Sequence, residues 1–142
     1  QILVHGGGWK KLESKKIDNH LFKKKIQSNY GIKNIFNYYG LIEQTGSIFI
    51  ECPECLSFKC SIYSDVIIRD KHLKMINKDN QIGLLQVMST IPTSYPGNII
   101  LTEDLAEFTN NKNCKKCHNY RGKRFKIHGR VKNSEIRGCA NI

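Results

Sequence analysis

The stretch YYGLIEQTG, Tyr38 to Gly46, places a glycine turn and a single carboxylate, Glu43, directly after Ile32 to Tyr38, an apolar run that reads as a strand. Upstream, Asp18 opens a helical pattern that sets Leu21, Phe22 and Ile26 on one face and closes near Gly31. Residues 2 to 5 read as a further strand entering the glycine turn Gly6, Gly7, Gly8. Strand, helix and strand in that order predict an α/β chain with a β-α-β start and a parallel pair. Downstream the pattern changes. SIFIE, CSIYSDVIIR, IGLLQVMS, NIILTED and RFKIHG are short apolar runs parted by turn residues, so 47 to 130 should be mostly antiparallel sheet.

The chain has 142 residues, enough for one compact core, and it begins at Gln1 without a Met, so it reads as a fragment of something longer. No stretch is long and apolar enough to span a bilayer and no signal peptide opens the chain, which makes the cytoplasm the expected compartment. A formal charge of +11 would suit nucleic acid or an anionic membrane. The lysines are nevertheless spread among Ile and Asn residues, and the one dense run, Lys23 to Lys25, fits the solvated face of a helix. Neither a nucleic-acid partner nor a membrane span is therefore expected. Met75 and Met88 read as core filler, and His5 and His128 as hydrogen-bonded structural histidines.

Six cysteines include two Cys-x-x-Cys pairs, Cys52-Pro-Glu-Cys55 and Cys114-Lys-Lys-Cys117. That spacing lets both sulfurs of a pair meet one zinc, and two pairs complete a tetrahedral structural site. Cys55 and Cys114 are separated by 58 residues, against about 15 to 20 in a zinc ribbon. The ion would therefore staple two distant loops of a larger fold. Cys60 stands as the alternative to Cys55 for the fourth ligand. A zinc-binding nucleic-acid module is the reading that would use charge and cysteines together, and the wide spacing speaks against it.

At YYGLIEQTG the chain resembles the adenylate-forming superfamily, whose fifth core motif is Tyr-Gly, two residues, then Glu. The resemblance implies that Tyr39, beside Gly40, packs by adenine and that Glu43 helps hold the Mg²⁺ bridging the nucleotide phosphates; a hard divalent cation takes such an oxygen ligand. Ile42 departs from the family's Thr or Ser, leaving Gln44 or Thr45 to replace its hydroxyl. Three further segments follow the family's order. HGGGWKKL, His5 to Leu12, resembles the glycine-rich wall of the acyl and adenine pockets, with Trp9 against that wall. SYPGNIILTEDLAEF, Ser94 to Phe108, resembles the strand whose Asp, here Asp104, accepts from both ribose hydroxyls. GKRFKIHGRVKNSEIRGC, Gly122 to Cys139, resembles the hinge, where Arg130 would contact ribose and Lys132 would sit at the pivot. The chain is thus expected to be the C-terminal part of the large domain of such an enzyme.

HGGGWKKL, SYPG with ILTEDL, and the ending RGC resemble the acyl-protein synthetases of bacterial bioluminescence, the LuxE family, more than a phenylacetate-CoA-ligase-like acyl-CoA ligase, which is the alternative. Twelve residues follow Arg130, as in that short-tailed family. Its acyl acceptor is a cysteine near the C-terminus, and Cys139 matches it. Arg137, Lys132 and Arg130 lie close to Cys139 in sequence and would favour its thiolate, the form that attacks an acyl-adenylate. The resemblance implies a nucleotide part at 1–46, a β-rich part at 47–130 and an acceptor tail at 131–142. It implies ATP, Mg²⁺, a fatty acid or other carboxylate, and an acyl reductase as partner. The family's phosphate-gripping loop precedes these motifs, so this fragment alone is expected to be inactive.

Overall fold

The computed structural model describes residues 1–9, 14–110, 114–117 and 119–132. Helix α1, Asn19–Tyr30, starts where the Asp18 side chain accepts from the Leu21 amide at 2.9 Å and stops where Gly31 turns left-handed, its N–H donating to the Gln27 carbonyl. It connects β1, Ile2–Gly6, to β2, Asn34–Gly40, and these strands pair in parallel. β2 starts two residues later than the apolar run implied, at Asn34.

Beyond β2 a single 3-10 turn, Ile42–Gln44, leads into β3, Ile48–Glu51. The remaining strands are β4, Phe58–Lys59; β5, Ser64–Arg69; β6, Met75–Ile76; β7, Gly83–Ser89; β8, Ile99–Phe108; and β9, Arg124–Arg130. All lie in one sheet, in the order β1-β2-β3-β4-β9-β8-β7-β5-β6, and every described pairing after β1–β2 is antiparallel.

That sheet is rolled. β3 and β7 stand four places apart in it, roughly 19 Å in a flat sheet at about 4.8 Å per strand. Yet Ser47, just before β3, donates to the hydroxyl of Ser89, the last residue of β7, at 2.5 Å. Inside the roll, Phe49, Phe58, Val66, Ile68, Leu85, Val87, Ala106 and Phe125 form one buried cluster contributed by β3, β4, β5, β7, β8 and β9. Met75, expected in the core, is instead exposed on the short edge strand β6, whereas its neighbour Ile76 points inward.

Helix α1 meets β1 through Phe22 on His5 and β3 through Asn19 and Lys23 on Glu51, and its less exposed stripe differs from expectation. Asn19, Phe22, Lys23 and Ile26, spaced as one helical face, are half-buried, while Leu21 stays exposed. Lys23 leaves the solvated run because Glu51 of β3 is buried beneath the helix at 2% exposure; both Lys23 Nζ and Asn19 Nδ2 donate to its carboxylate. Lys24 and Lys25 remain exposed. His5 stacks on Phe22 at 4.7 Å between ring centroids, and burial pushes its pKa down despite the nearby Glu51 charge.

Removing one partner strands a buried charge, so Lys23→Met should cost about 3–5 kcal/mol in urea unfolding. The double change Lys23→Met with Glu51→Leu should recover most of that loss, because two apolar groups then meet. A loss under about 1 kcal/mol in the single variant would mean the pair contributes as little as an exposed one.

Candidate functional site

Strand alternation sends the two tyrosines of the motif to opposite faces. Tyr38 lies over Gly6, its parallel partner, and a Cβ on Gly6 would come within 2.6 Å of that ring; only glycine allows the approach. Tyr39 turns inward against Phe49, Phe58 and Phe125, with centroids 6.1 to 6.2 Å away, and its hydroxyl donates to Asp104 Oδ2 at 2.7 Å. Burial above all pushes the Tyr39 pKa far upward, and the Asp104 charge and hydrogen bond add to it, so the phenol remains a proton donor.

Asp104 on β8 faces Arg130 on β9 in register. Arg130 Nε lies 3.7 Å from Asp104 Oδ1, and Nη2 lies 3.3 Å from Glu103 Oε2. Three of the expected nucleotide residues, from three separate strands, are therefore joined. Tyr39 does not present an open ring: it sits in the core and reaches the site through its hydroxyl. Asp104 accepts from Tyr39 on Oδ2 and faces Arg130 with Oδ1, and since a carboxylate has about four acceptor positions, capacity remains for ligand hydroxyls.

Gly7 adopts φ +86° and Gly8 is exposed beyond the end of β1. Trp9 meets Phe22 of α1 edge-on at 6.5 Å, so the described contact of this ring is to the helix. Glu43 is exposed in the 3-10 turn, and among the described residues its carboxylate forms no hydrogen bond or ion pair. A free hard-oxygen donor suits Mg²⁺, which usually takes one or two carboxylates and completes its shell with phosphates and water. Neither substitute for the missing hydroxyl is free: Gln44 is buried, and Thr45 Oγ1 donates to the Ile42 carbonyl at 3.0 Å. Lys132 is exposed just beyond β9. Cys139 lies outside the described residues.

The Cys-x-x-Cys pairs occupy the β3–β4 and β8–β9 connections, and all four sulfurs lie within 4.8 Å of one another. Cys52 and Cys114 are 3.8 Å apart, and Cys55 and Cys117 3.7 Å. Bonded sulfurs would stand about 2.05 Å apart. A tetrahedron with zinc–sulfur bonds of about 2.3 Å has edges of about 3.8 Å, so the donor set fits zinc. Burial pushes Cys55 up, but the Ser57 hydroxyl and amide and the Cys52 and Cys117 thiols outweigh it and lower the pKa to about 6. Burial and then the neighbouring cysteines push Cys117 up to about 12. Four thiolates cannot coexist here without a cation.

The alternative fourth ligand, Cys60, is not in this group. It is packed in the apolar cluster inside the roll, where burial pushes its pKa up to about 12 with Asp65 adding to the shift. Glu54, which carries no role in the sequence motifs, accepts on its carboxylate from the Lys115 and Lys116 amides at 3.4 and 3.3 Å, tying one cysteine pair to the other. An acid inside the first pair facing Lys-Lys inside the second was the available signal.

A family model described as "Acyl-protein synthetase, LuxE" matches residues 1–142. No curated protein sequence matches the chain. Among solved structures, a luciferase-like enzyme from the nonluminescent mealworm Zophobas morio is similar at 18% identity over 95% of this chain and 32% of its own, with a TM-score of 0.58. Apo MatB from Rhodopseudomonas palustris is similar at 14% identity over 93% of this chain and 26% of its own, TM-score 0.57. An NRPS protein containing adenylation and PCP domains gives 15% identity, 90% and 28% coverage, and the same TM-score, 0.57. The chain thus spans about a quarter to a third of the structures it matches. At such identities the likeness fixes the fold, which is that of a part of these enzymes: a parallel start and a rolled, mostly antiparallel sheet. No helix among the described residues is long and apolar enough to cross a membrane. With the family model matching from first residue to last, the chain belongs to the LuxE acyl-protein synthetase family.

Proposed function

We propose that the protein carrying this chain activates a fatty acid with ATP and passes the acyl group to one of its own cysteines. The observation that carries this reading is the joining of Tyr39, Asp104 and Arg130 across three strands, beside a turn that exposes the uncommitted Glu43, in a chain of this family. A carboxylate oxygen of the fatty acid attacks the α-phosphorus, pyrophosphate leaves, and acyl-AMP forms. A cysteine thiolate then attacks the acyl carbon, AMP leaves, and a thioester remains; Cys139 is the residue we assign to this step. Asp104 accepts from the ribose hydroxyls while Tyr39 holds its carboxylate, and Arg130 adds a ribose contact from β9. Lys132 sits at the pivot that follows.

Glu43 would hold Mg²⁺, which when bound neutralises charge on the phosphates. The four clustered cysteines would hold a structural zinc. A reductase is the partner that would consume the thioester, and the cytoplasm the compartment.

In the intact enzyme, exchange of labelled pyrophosphate into ATP tests the nucleotide residues. Hydrogen bonds to a charged group contribute about 1.5–3 kcal/mol. Asp104→Ala should therefore raise KM for ATP about 10- to 100-fold, and Glu43→Gln should lower kcat more than it raises KM. Wild-type exchange in both variants would remove this site from adenylation.

A further inference from the structure

The loop between β7 and β8 carries SYPG, Ser94 to Gly97, which the proposed chemistry leaves without a role. Its contacts converge on the turn that bears Glu43. Tyr95 Oη donates to the Glu43 carbonyl at 2.5 Å and accepts from the Thr45 amide at 3.3 Å. In the opposite direction, Gln44 Nε2 donates to the carbonyls of Gly97 and Asn98 at 2.9 and 3.3 Å, and Gln44 is only 1% exposed. Gly97 comes so close that a Cβ would lie 2.8 Å from the Glu43 carbonyl oxygen and 2.4 Å from the Tyr95 ring.

The loop is itself anchored. Asn98 Nδ2 donates to the Pro92 carbonyl at 3.2 Å, the Ser89 amide donates to the Asn98 carbonyl at 2.8 Å, and the Ser89 hydroxyl meets Ser47 at the start of β3. A lone 3-10 turn has poor hydrogen-bond geometry and holds its shape weakly. Here the backbone that follows the Glu43 side chain is pinned at the Glu43 carbonyl and the Thr45 amide, while the carboxylate makes no bond among the described residues.

We propose that the Tyr95–Gly97 segment is the positioning element for Glu43: the Tyr95 hydroxyl fixes the turn so that the free carboxylate meets the magnesium–phosphate group in one orientation. This deepens the adenylation reading and rests on it. Tyr95 touches no reacting atom; it acts through the Glu43 backbone. Pre-organisation of this kind lowers the cost of ordering a ligand at the moment of binding.

The test uses Tyr95→Phe in the intact enzyme, with Glu43→Gln as reference and Gly97→Ala as a second variant that disturbs the same turn while keeping the Tyr95 hydroxyl. Losing two hydrogen bonds of ordinary strength predicts about a tenfold effect. Tyr95→Phe should lower kcat for pyrophosphate exchange about tenfold and raise the Mg²⁺ concentration for half-maximal rate by a similar factor. KM for ATP should stay within about twofold, since Asp104 and Arg130 are untouched. Without any ligand, amide hydrogen exchange at Gln44 and Thr45 should quicken about tenfold while the amides of β8 keep their protection. Gly97→Ala should move the same quantities in the same direction.

A silent Glu43→Gln would take Glu43 out of the nucleotide site, and the proposal with it. A defective Glu43→Gln beside a Tyr95→Phe with wild-type Mg²⁺ dependence and wild-type amide exchange would leave the adenylation reading standing and overturn the positioning role alone. A Tyr95→Phe that raises KM for ATP as much as it lowers kcat would also overturn it, because the damage would not be confined to the Glu43 turn.

Discussion

Protein purified without added metal should carry about one equivalent of zinc per chain, and stripping that zinc should unfold the rolled sheet around the β3–β4 and β8–β9 connections. The four cysteines sit on two short loops with little apolar material around them: Cys52, Cys114 and Cys117 are buried, and among the described residues the partly buried hydrophobic residue packed against them is Cys55. Zinc bound by structural sites of this kind contributes about 10–16 kcal/mol in small peptides, most of it as folding free energy. The apolar core of the roll should retain part of the fold, so the expected loss is several kcal/mol, enough to lower the melting temperature by ten degrees or more. Cys114→Ser and Cys117→Ser should each lose the metal and that stability together.

Cys60→Ser separates a ligand from a core thiol. It should keep its full zinc content and yet be destabilised, because it buries a hydroxyl in the apolar cluster inside the roll. Less than about a tenth of an equivalent of zinc, with all four clustered thiols titrating freely in the folded protein, would defeat the assignment. The Cys117 thiol, pushed up to about 12, loses its proton at neutral pH only when a cation takes the proton's place on the sulfur. Acid should release the metal by protonating the ligands.

What could be read from the residues was whatever local chemistry determines. Asp18 and Gly31 bounded the helix because an N-cap side chain and a left-handed C-cap are local requirements. The parallel β1–β2 pair and the antiparallel region followed from the order and period of the apolar runs. Each Cys-x-x-Cys pair was legible because its spacing lets two sulfurs meet one ion, whereas the meeting of the two pairs came from the sheet order that sets the β3–β4 and β8–β9 connections side by side.

What could not be read depends on contacts distant in sequence. Lys23 looked like one more surface lysine until Glu51, 28 residues away, fixed it inside. Cys60 and Cys55 were equivalent candidates until the β4–β9 pairing carried Cys60 into the apolar roll. Tyr39 matched a motif position, but whether its ring or its hydroxyl faces the site depends on Asp104, 65 residues on. The link from SYPG to Glu43 has no local signature, since it joins two turns more than 50 residues apart.

The acceptor step yields the sharpest separation of the two half-reactions. Cys139→Ser in the intact enzyme should form acyl-AMP and exchange pyrophosphate at the wild-type rate, because Glu43, Asp104 and Arg130 are unchanged. It should retain less than about a hundredth of the labelled fatty acid as a hydroxylamine-sensitive adduct. The reason is nucleophilicity: near neutral pH a few per cent of an ordinary thiol is already thiolate, whereas a serine hydroxyl without a neighbouring base is almost wholly protonated. Arg137 and Lys132, close in sequence, should enlarge the thiolate fraction further, so Arg137→Ala should slow labelling severalfold without affecting exchange. Zinc content should not change in either variant, since the four sulfurs that fit the ion are Cys52, Cys55, Cys114 and Cys117. Were Cys139→Ser to accumulate thioester-linked label at the wild-type level, the acceptor would have to be another thiol. Label appearing on added coenzyme A, with none on the protein, would turn the reading toward an acyl-CoA ligase while leaving the nucleotide site as assigned.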